Sequence, residues 1–275
     1  VEPTENPLDA LRRELQEELG ITIEDTASFP IRKIPHAYSD KKVLLDVWQI
    51  NKFVGEARGR EGQPLQWAPI EDLDKYQFPK ANGVITDVLQ LPRLIAITGE
   101  FNSQEEFNTR LENCLKNGIR LLHICIADNS NTEHLINTTA EACARHDARF
   151  VTSTSLDCHA RMQRLGASGL QVSSQQLLEL DARPVSESQL FSVYCHNQDD
   201  LLRAQRLHAD YVLLSPVFAT QSQRNVPALK WAGFKQLRQT VNLPVYAVGG
   251  LSEKNLAESW LMGAHGIAAT GAFWY

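Results

Sequence analysis

Residues 13–21 read R-E-L-Q-E-E-L-G-I, and Glu5 stands ahead of Arg13 with seven residues between them. Glu14, Glu17 and Glu18 are spaced i, i+3, i+4, which puts them on one face of a helix. Three carboxylates on one face repel one another, and a cation offsets that repulsion. Hard oxygen donors favour magnesium or manganese. A solvated, glutamate-rich face of an ordinary amphipathic helix has the same local pattern, so this spacing alone leaves both readings open. The helix is expected from Asn6 as N-cap, Pro7 at the first helical position and Asp9 in the positive first turn. Leu8, Leu11, Leu15 and Leu19 form its expected buried stripe. Gly20 ends it in a left-handed cap.

Outward from this helix, the chain runs to 275 residues, enough for two domains with cores of their own. It is 43% hydrophobic and 22% charged, the balance of an ordinary globular protein. A net charge of −6 argues against binding a nucleic-acid polymer. A nucleotide held through a metal needs no basic surface. No apolar run is long enough to span a membrane, and no signal peptide is visible. Cysteines 114, 125, 143, 158 and 195 are scattered, odd in number and without a C-x-x-C pair. They read as reduced thiols of a cytoplasmic protein.

The pattern changes at Leu91-Pro92, so domains are expected over 1–91 and 92–275. The first has strand-like runs at Val43–Trp48, Phe53–Ala57 and Leu65–Trp67, and a helical stretch over Gly83–Leu89. In the second, apolar runs alternate with amphipathic helical stretches. The runs are Leu94–Thr98, Leu121–Ala127, Phe150–Thr154, Gly169–Ser173, Phe191–Cys195, Tyr211–Val217, Val245–Val248 and Gly266–Ala269. Near-continuous apolar strands alternating with helices imply a parallel sheet, and eight of them suggest a compact (β/α)8 barrel. A doubly wound open sheet is the alternative.

The residues Glu5, Arg13, Glu14, Leu15, Glu17, Glu18, Gly20 and Ile21 together resemble the Nudix box, G-x5-E-x7-R-E-U-x-E-E-x-G-U with U aliphatic. The stretch Glu61-Gly62-Gln63-Pro64, then Trp67, Phe78-Pro79 and Ala81-Asn82, is similar to the MutT-type branch. That branch hydrolyses oxidised guanine nucleotides such as 8-oxo-dGTP. The resemblance implies an α/β/α sandwich and a role for each matching residue. Glu14, Glu17 and Glu18 would bind Mg2+ or Mn2+. Glu61 would add a further carboxylate, as ligand or as base for the attacking water, beside a catalytic Glu17. Phe78 would wall the base pocket and Asn82 would bond the purine edge. Arg13 would brace the helix by pairing with Glu5. The box's first glycine and the strands before it are missing, so a partial Nudix domain is expected, with weak or no hydrolysis by this polypeptide and full activity in its parent.

The second half resembles the thiamin phosphate synthase and TenI-like superfamily. The resemblance rests on Gly169-Leu-Gln-Val, Cys195-His196-Asn197, Ala209-Asp210-Tyr211-Val212, Ser215-Pro216-Val217-Phe218-x-Thr220 and Pro244-Val245-Tyr246-Ala247-Val248-Gly249-Gly250. Barrel sites lie at the C-terminal strand ends. Gly249, Gly250, Thr270 and Gly271 are therefore candidates for a phosphate cradle, although a Gly-Gly after a strand is as often only a tight turn. His196 is a candidate acid–base group and His123 a second, although a strand-end histidine bonded to backbone is the plainer reading of each. Thr154, Gln171, Ser215 and Thr220 complete the expected pocket, which would take a phosphorylated small molecule.

Departures from the synthase pattern matter more. The stretch from His123 to Ala127 has lost both basic residues of Q-L-R-x-K. Ser153-Thr154 stands where N-D would help bind magnesium. Thr220-Gln221-Ser222-Gln223 has lost the lysine of T-x-T-K. A pyrophosphate leaving group needs cations or a metal, so thiamin phosphate synthesis is not expected. What remains is a nucleotide pyrophosphatase with a barrel that is degenerate, a thiazole phosphate tautomerase, or a non-catalytic binding module.

Overall fold

Asn6 opens the first helix: its side-chain oxygen accepts the backbone N–H of Leu8 at 3.0 Å, and Pro7 occupies the first helical position. The computed structural model describes residues 5–37, 42–79, 83–125, 131–220 and 226–275. Two compact units divide at Leu91 and Pro92.

In the first unit, helix α1 (Pro7–Glu14) does not run on as the uniform α-helix expected. It continues as a wider π-helical turn over Leu15–Leu19, ended by Gly20 at φ 72°. The expected leucine stripe is also corrected. Ala10 is the buried residue of α1, at 2% exposure, whereas Leu8, Leu11, Leu15 and Leu19 are only half-buried. The wide turn persists because its carbonyls find partners elsewhere in the unit. The backbone N–H of Arg60 bonds Glu18 O at 2.9 Å, and that of Arg58 bonds Leu19 O at 3.0 Å.

Strand β1 (Thr22–Ile23) then pairs antiparallel with β4 (Phe53–Val54). Between them lies an antiparallel hairpin of β2 (Ser28–Ala37) and β3 (Lys42–Ile50), with an irregularity between Pro30 and Arg32. The pattern of β2 does not signal a strand, because Pro30 and Pro35 cannot donate to a ladder. A two-stranded hairpin tolerates them. The expected strand at Leu65–Trp67 is absent, and the one at 53–57 shrinks to two residues. Aromatic packing replaces ladder pairing here: Trp67 stacks on Phe53 with ring centroids 6.2 Å apart. Helix α2 covers Gly83–Leu89 as its pattern predicts.

In the second unit eight parallel strands close into a barrel. They are β5 (Leu94–Ile97), β6 (Leu121–Ile124), β7 (Arg149–Ser153), β8 (Gly169–Val172), β9 (Leu190–Cys195), β10 (Tyr211–Leu214), β11 (Val245–Val248) and β12 (Gly266–Ala269). The circle closes where β12 pairs with β5, through Ile267↔Leu94 and Ala268↔Ile95. Intervening helices are capped as their sequences dictate. Ser103 accepts Glu106 N at 3.1 Å to start α3 (Gln104–Lys116), which buries Phe107, Leu111, Cys114 and Leu115 at helical spacing. Ser173 and Gln176 form a capping box on α4 (Ser174–Leu178). Asn197 caps α5 (Gln198–Arg206).

The barrel interior carries several buried polar side chains. Tyr211 and Tyr246 are fully buried with edge-to-face rings 5.4 Å apart, and the Tyr246 hydroxyl donates to Pro92 O at 2.5 Å. Outside the strands, at the end of the helix Lys230–Arg238, the buried Arg238 donates to Gly263 O and Val241 O, both at 2.9 Å. Among the described residues no helix is long and apolar enough to cross a membrane, and all five cysteines are free thiols.

Candidate functional sites

The acidic helix end is organised by Arg13. Its guanidinium bonds Glu5 at 3.1 and 3.2 Å, Glu14 at 2.9 Å and Glu17 at 3.1 Å. The Glu5 pair, with the other carboxylates, pushes its pKa further up and keeps it charged. The pairing expected between Arg13 and Glu5 is therefore present. The expected cluster of Glu14, Glu17 and Glu18 around one cation is not: among the described residues no three acidic, His or Cys side chains gather as a metal site. Arg13 itself supplies the positive charge that offsets the repulsion of Glu14 and Glu17, and the widened turn alters the spacing on which a shared face depended. The donor set still suits a hard divalent ion, because these are carboxylate oxygens on side chains open to solvent.

Glu61 is brought to this helix by its loop. Besides the Arg58 and Arg60 backbone bonds, the Arg60 guanidinium reaches Gln16 O at 3.4 Å and Gln63 Nε2 reaches Glu18 O at 3.3 Å. Gln63 Oε1 in turn accepts Glu61 N at 2.9 Å. Four bonds thus clamp the 58–63 loop to the last turn of the acidic helix. Gly20 is favoured there by its positive φ, and it lets the end of the Arg60 side chain lie against it. Nothing local in the sequence marks Arg58, Arg60 or Gln63 as helix partners, since they lie about forty residues from the carbonyls they bond. Phe78 is exposed at 43%, and Asn82 lies outside the described residues.

At the C-terminal strand ends of the barrel a cavity of about 440 Å³ opens. Its walls include Ser153, Thr154, Ser155, Gln171, Tyr194 and His196, and no Asp, Glu, Lys or Arg among the described residues lines it. Three of the expected pocket residues, Thr154, Gln171 and His196, are therefore brought together. His196 donates Nδ1–H to Ser215 O at 2.9 Å, and its backbone N–H bonds Asp200 at 2.9 Å. That fixes the ring and leaves Nε2 as the acceptor. Ser215 also takes the Tyr194 hydroxyl at 3.1 Å.

The other expected residues are placed differently. His123 is not at the mouth but fully buried inside the barrel, between Gln171 and the Tyr211 hydroxyl at 2.7 Å. Burial drives its pKa down to about 4, against a smaller opposing effect of Gln171, so the imidazole is neutral. Gly249, Gly250, Thr270 and Gly271 do not line the cavity. Gly249 and Gly250 form a left-handed turn packed on Pro216 and Phe218, where a Cβ on either would come within 3.0 Å. Thr270 starts a C-terminal turn by accepting Trp274 N at 2.8 Å, and Gly271 faces open space. Thr220 is half-buried, away from the lining. Ser153, Ser155, Ser173 and Tyr194 are pocket residues that sequence patterns missed, because isolated serines at strand ends carry no signal.

Comparison with known proteins accounts for both units. Residues 94–273 match the family model "Thiamine monophosphate synthase", and residues 1–87 match "NUDIX domain". A putative thiamine-phosphate synthase 2 of Aquifex aeolicus is 26% identical over 187 residues, 67% of this chain and 99% of that protein. The 8-oxo-dGTP diphosphatase of Escherichia coli K12 is 36% identical over 94 residues, 34% of this chain and 70% of that protein. Thiamine phosphate pyrophosphorylase from Pyrococcus furiosus shares the barrel fold, with a TM-score of 0.53 at 19% identity over 64% of this chain and 84% of that one. The chain thus belongs to two families in tandem, a Nudix hydrolase domain followed by a barrel of the thiamine monophosphate synthase family.

Proposed function

We propose that the Nudix domain hydrolyses oxidised purine nucleoside triphosphates, with 8-oxo-dGTP converted to 8-oxo-dGMP and pyrophosphate in the cytoplasm. The observation that carries this reading is the clamp of the Glu61 loop on the acidic helix. It holds the loop that carries Glu61 against the last turn of the helix, at the carbonyls of Gln16, Glu18 and Leu19. The 36% identity to the E. coli 8-oxo-dGTP diphosphatase supports the choice of nucleotide.

Glu14, Glu17, Glu18 and Glu61 would hold Mg2+ or Mn2+, which when bound polarises phosphate oxygens and acidifies water. Arg13 holds Glu5, Glu14 and Glu17 in place by ion pairs until substrate arrives. Water forms the new P–O bond, Glu61 takes its proton, and the bridging P–O bond breaks to release pyrophosphate. Glu17 orients the reacting phosphate side of this arrangement. Phe78 and Asn82 would select the base. The test is a panel of nucleoside triphosphates with pyrophosphate release as readout, on the full-length protein and on Glu17→Gln. Unchanged hydrolysis by that variant would sink the assignment.

For the barrel, we propose that thiamin phosphate synthesis has been lost. The cavity has no charged side chain among the described residues, and a pyrophosphate leaving group would go unstabilised. His196, with Nδ1 anchored on Ser215 O, leaves a proton-shuttle or purely binding role open to this site. A synthase assay with both substrates and Mg2+ tests the loss, and turnover would refute it.

A further inference from the structure

The side chain of Gln63 touches both Glu61 and the acidic helix. Its Oε1 accepts the backbone N–H of Glu61 at 2.9 Å, and its Nε2 donates to Glu18 O at 3.3 Å. The same carbonyl takes the backbone N–H of Arg60 at 2.9 Å. Glu18 O is one of the last carbonyls of the helix, which lack a partner within it. Arg60 and Glu61 are thus tied to one oxygen, Arg60 directly and Glu61 through Gln63. The other three bonds of the clamp come from Arg58 and Arg60, and none of them touches Glu61.

This bridge needs a carboxamide. Gln63 uses an acceptor on one side and a donor on the other, whereas an ionised glutamate has no donor, and lysine and arginine have no acceptor. The loop is folded around it. Gly62 takes a positive φ of 82°, which turns the chain back so that Gln63 faces the amide of Glu61. Gly59 lies so close that a Cβ there would collide with the Gln63 carbonyl oxygen and stand 3.3 Å from the carboxamide carbon. Gln63 is half-buried in this fold, while Glu61 stays exposed.

We propose that Gln63 is a positioning residue of the hydrolase: it sets where Glu61 stands relative to the acidic helix, and it acts on the reaction through Glu61. The proposal rests on the hydrolase reading above. An exposed carboxylate on a loop works as ligand or base only when its backbone is held, and Gln63 supplies the hold that reaches Glu61 itself.

The test measures pyrophosphate release from 8-oxo-dGTP with Mg2+, on the full-length protein. Gln63→Met keeps the length of the side chain and removes both bonds. Its kcat is expected to fall about 10–100-fold, the scale for groups that orient a ligating or catalytic side chain, with KM within about threefold of the parent. Gln63→Glu keeps the acceptor for Glu61 N and loses the donor to Glu18 O, so its kcat should fall in the same range. Hydrogen exchange of the Glu61 amide should quicken in Gln63→Met. In the Glu61→Gln background, Gln63→Met should add less than about twofold, because both act at one point. A raised KM at unchanged kcat, a full further loss in the double variant, or an unaltered Glu61 amide would each overturn the proposal. So would an unchanged kcat in Gln63→Met beside an inactive Glu17→Gln, a result that leaves the hydrolase reading standing. Full activity of Glu17→Gln would sink that reading, and this proposal with it.

Discussion

The Arg60 guanidinium lies directly over Gly20, so close that a methyl group on Gly20 would come within 2.6 to 2.9 Å of three of its atoms. This contact ties the loop bearing Glu61 to the end of the acidic helix. Gly20→Ala must therefore hold a left-handed φ of 72° and shift the end of the Arg60 side chain aside. A left-handed alanine alone costs roughly 1–2 kcal/mol. We expect a loss of about 2 kcal/mol in the first unit. Faster hydrogen exchange of the Arg58 and Arg60 amides, which bond Leu19 and Glu18, would register it.

Arg13 bridges three carboxylates. Arg13→Gln leaves Glu5, Glu14 and Glu17 without their shared cation. Losing a group that orients ligating carboxylates lowers metal affinity or activity by about 10–100-fold. The expected outcome is a matching drop in hydrolysis that higher concentrations of divalent ion partly restore. Unchanged activity at low Mg2+ would remove Arg13 from the site.

The barrel should lose stability in acid. His123 is held neutral by burial, with its pKa lowered to about 4, whereas the unfolded chain takes up that proton near 6.5. Between these values the unfolded state binds more protons. Stability is therefore full above about pH 6.5 and falls as the pH drops towards about 4, by on the order of 3 kcal/mol. His159, lowered by burial as well, acts in the same direction. Urea midpoints of the barrel across this range check it, and His123→Gln should flatten the slope.

Arg238 is the buried tie between two loops, bonding Gly263 O and Val241 O at 2.9 Å each. Burial lowers its pKa to about 10, still leaving it charged at neutral pH. Arg238→Met removes both bonds and strands buried carbonyls. We expect a loss of about 2–4 kcal/mol, read from the barrel's urea transition.

Much of the fold is legible from local patterns. The eight apolar runs of the second unit are all strands, and Val245–Val248 and Gly266–Ala269 match their bounds. Parallel strands buried on both faces leave a strong signal. In the first unit β2 hides behind its two prolines, and Leu65–Trp67 has strand composition without a strand, its Trp67 stacking on Phe53 while staying largely exposed. The π-helical turn is equally invisible, since it depends on carbonyl partners from the 58–63 loop.

By itself the sequence determined the tandem of an acidic-helix domain and an eight-stranded barrel, and the residue types available for chemistry. Short-range spacing, capping and periodicity suffice for that. Only the tertiary structure decided which of those residues meet. It made Arg13 the hub of the acidic cluster, drew Glu61 to the helix by bonds spanning more than forty residues, and put His123 inside the barrel behind Gln171. These outcomes depend on hydrogen bonds between distant segments and on desolvation, and neither leaves a mark on neighbouring residues in the chain.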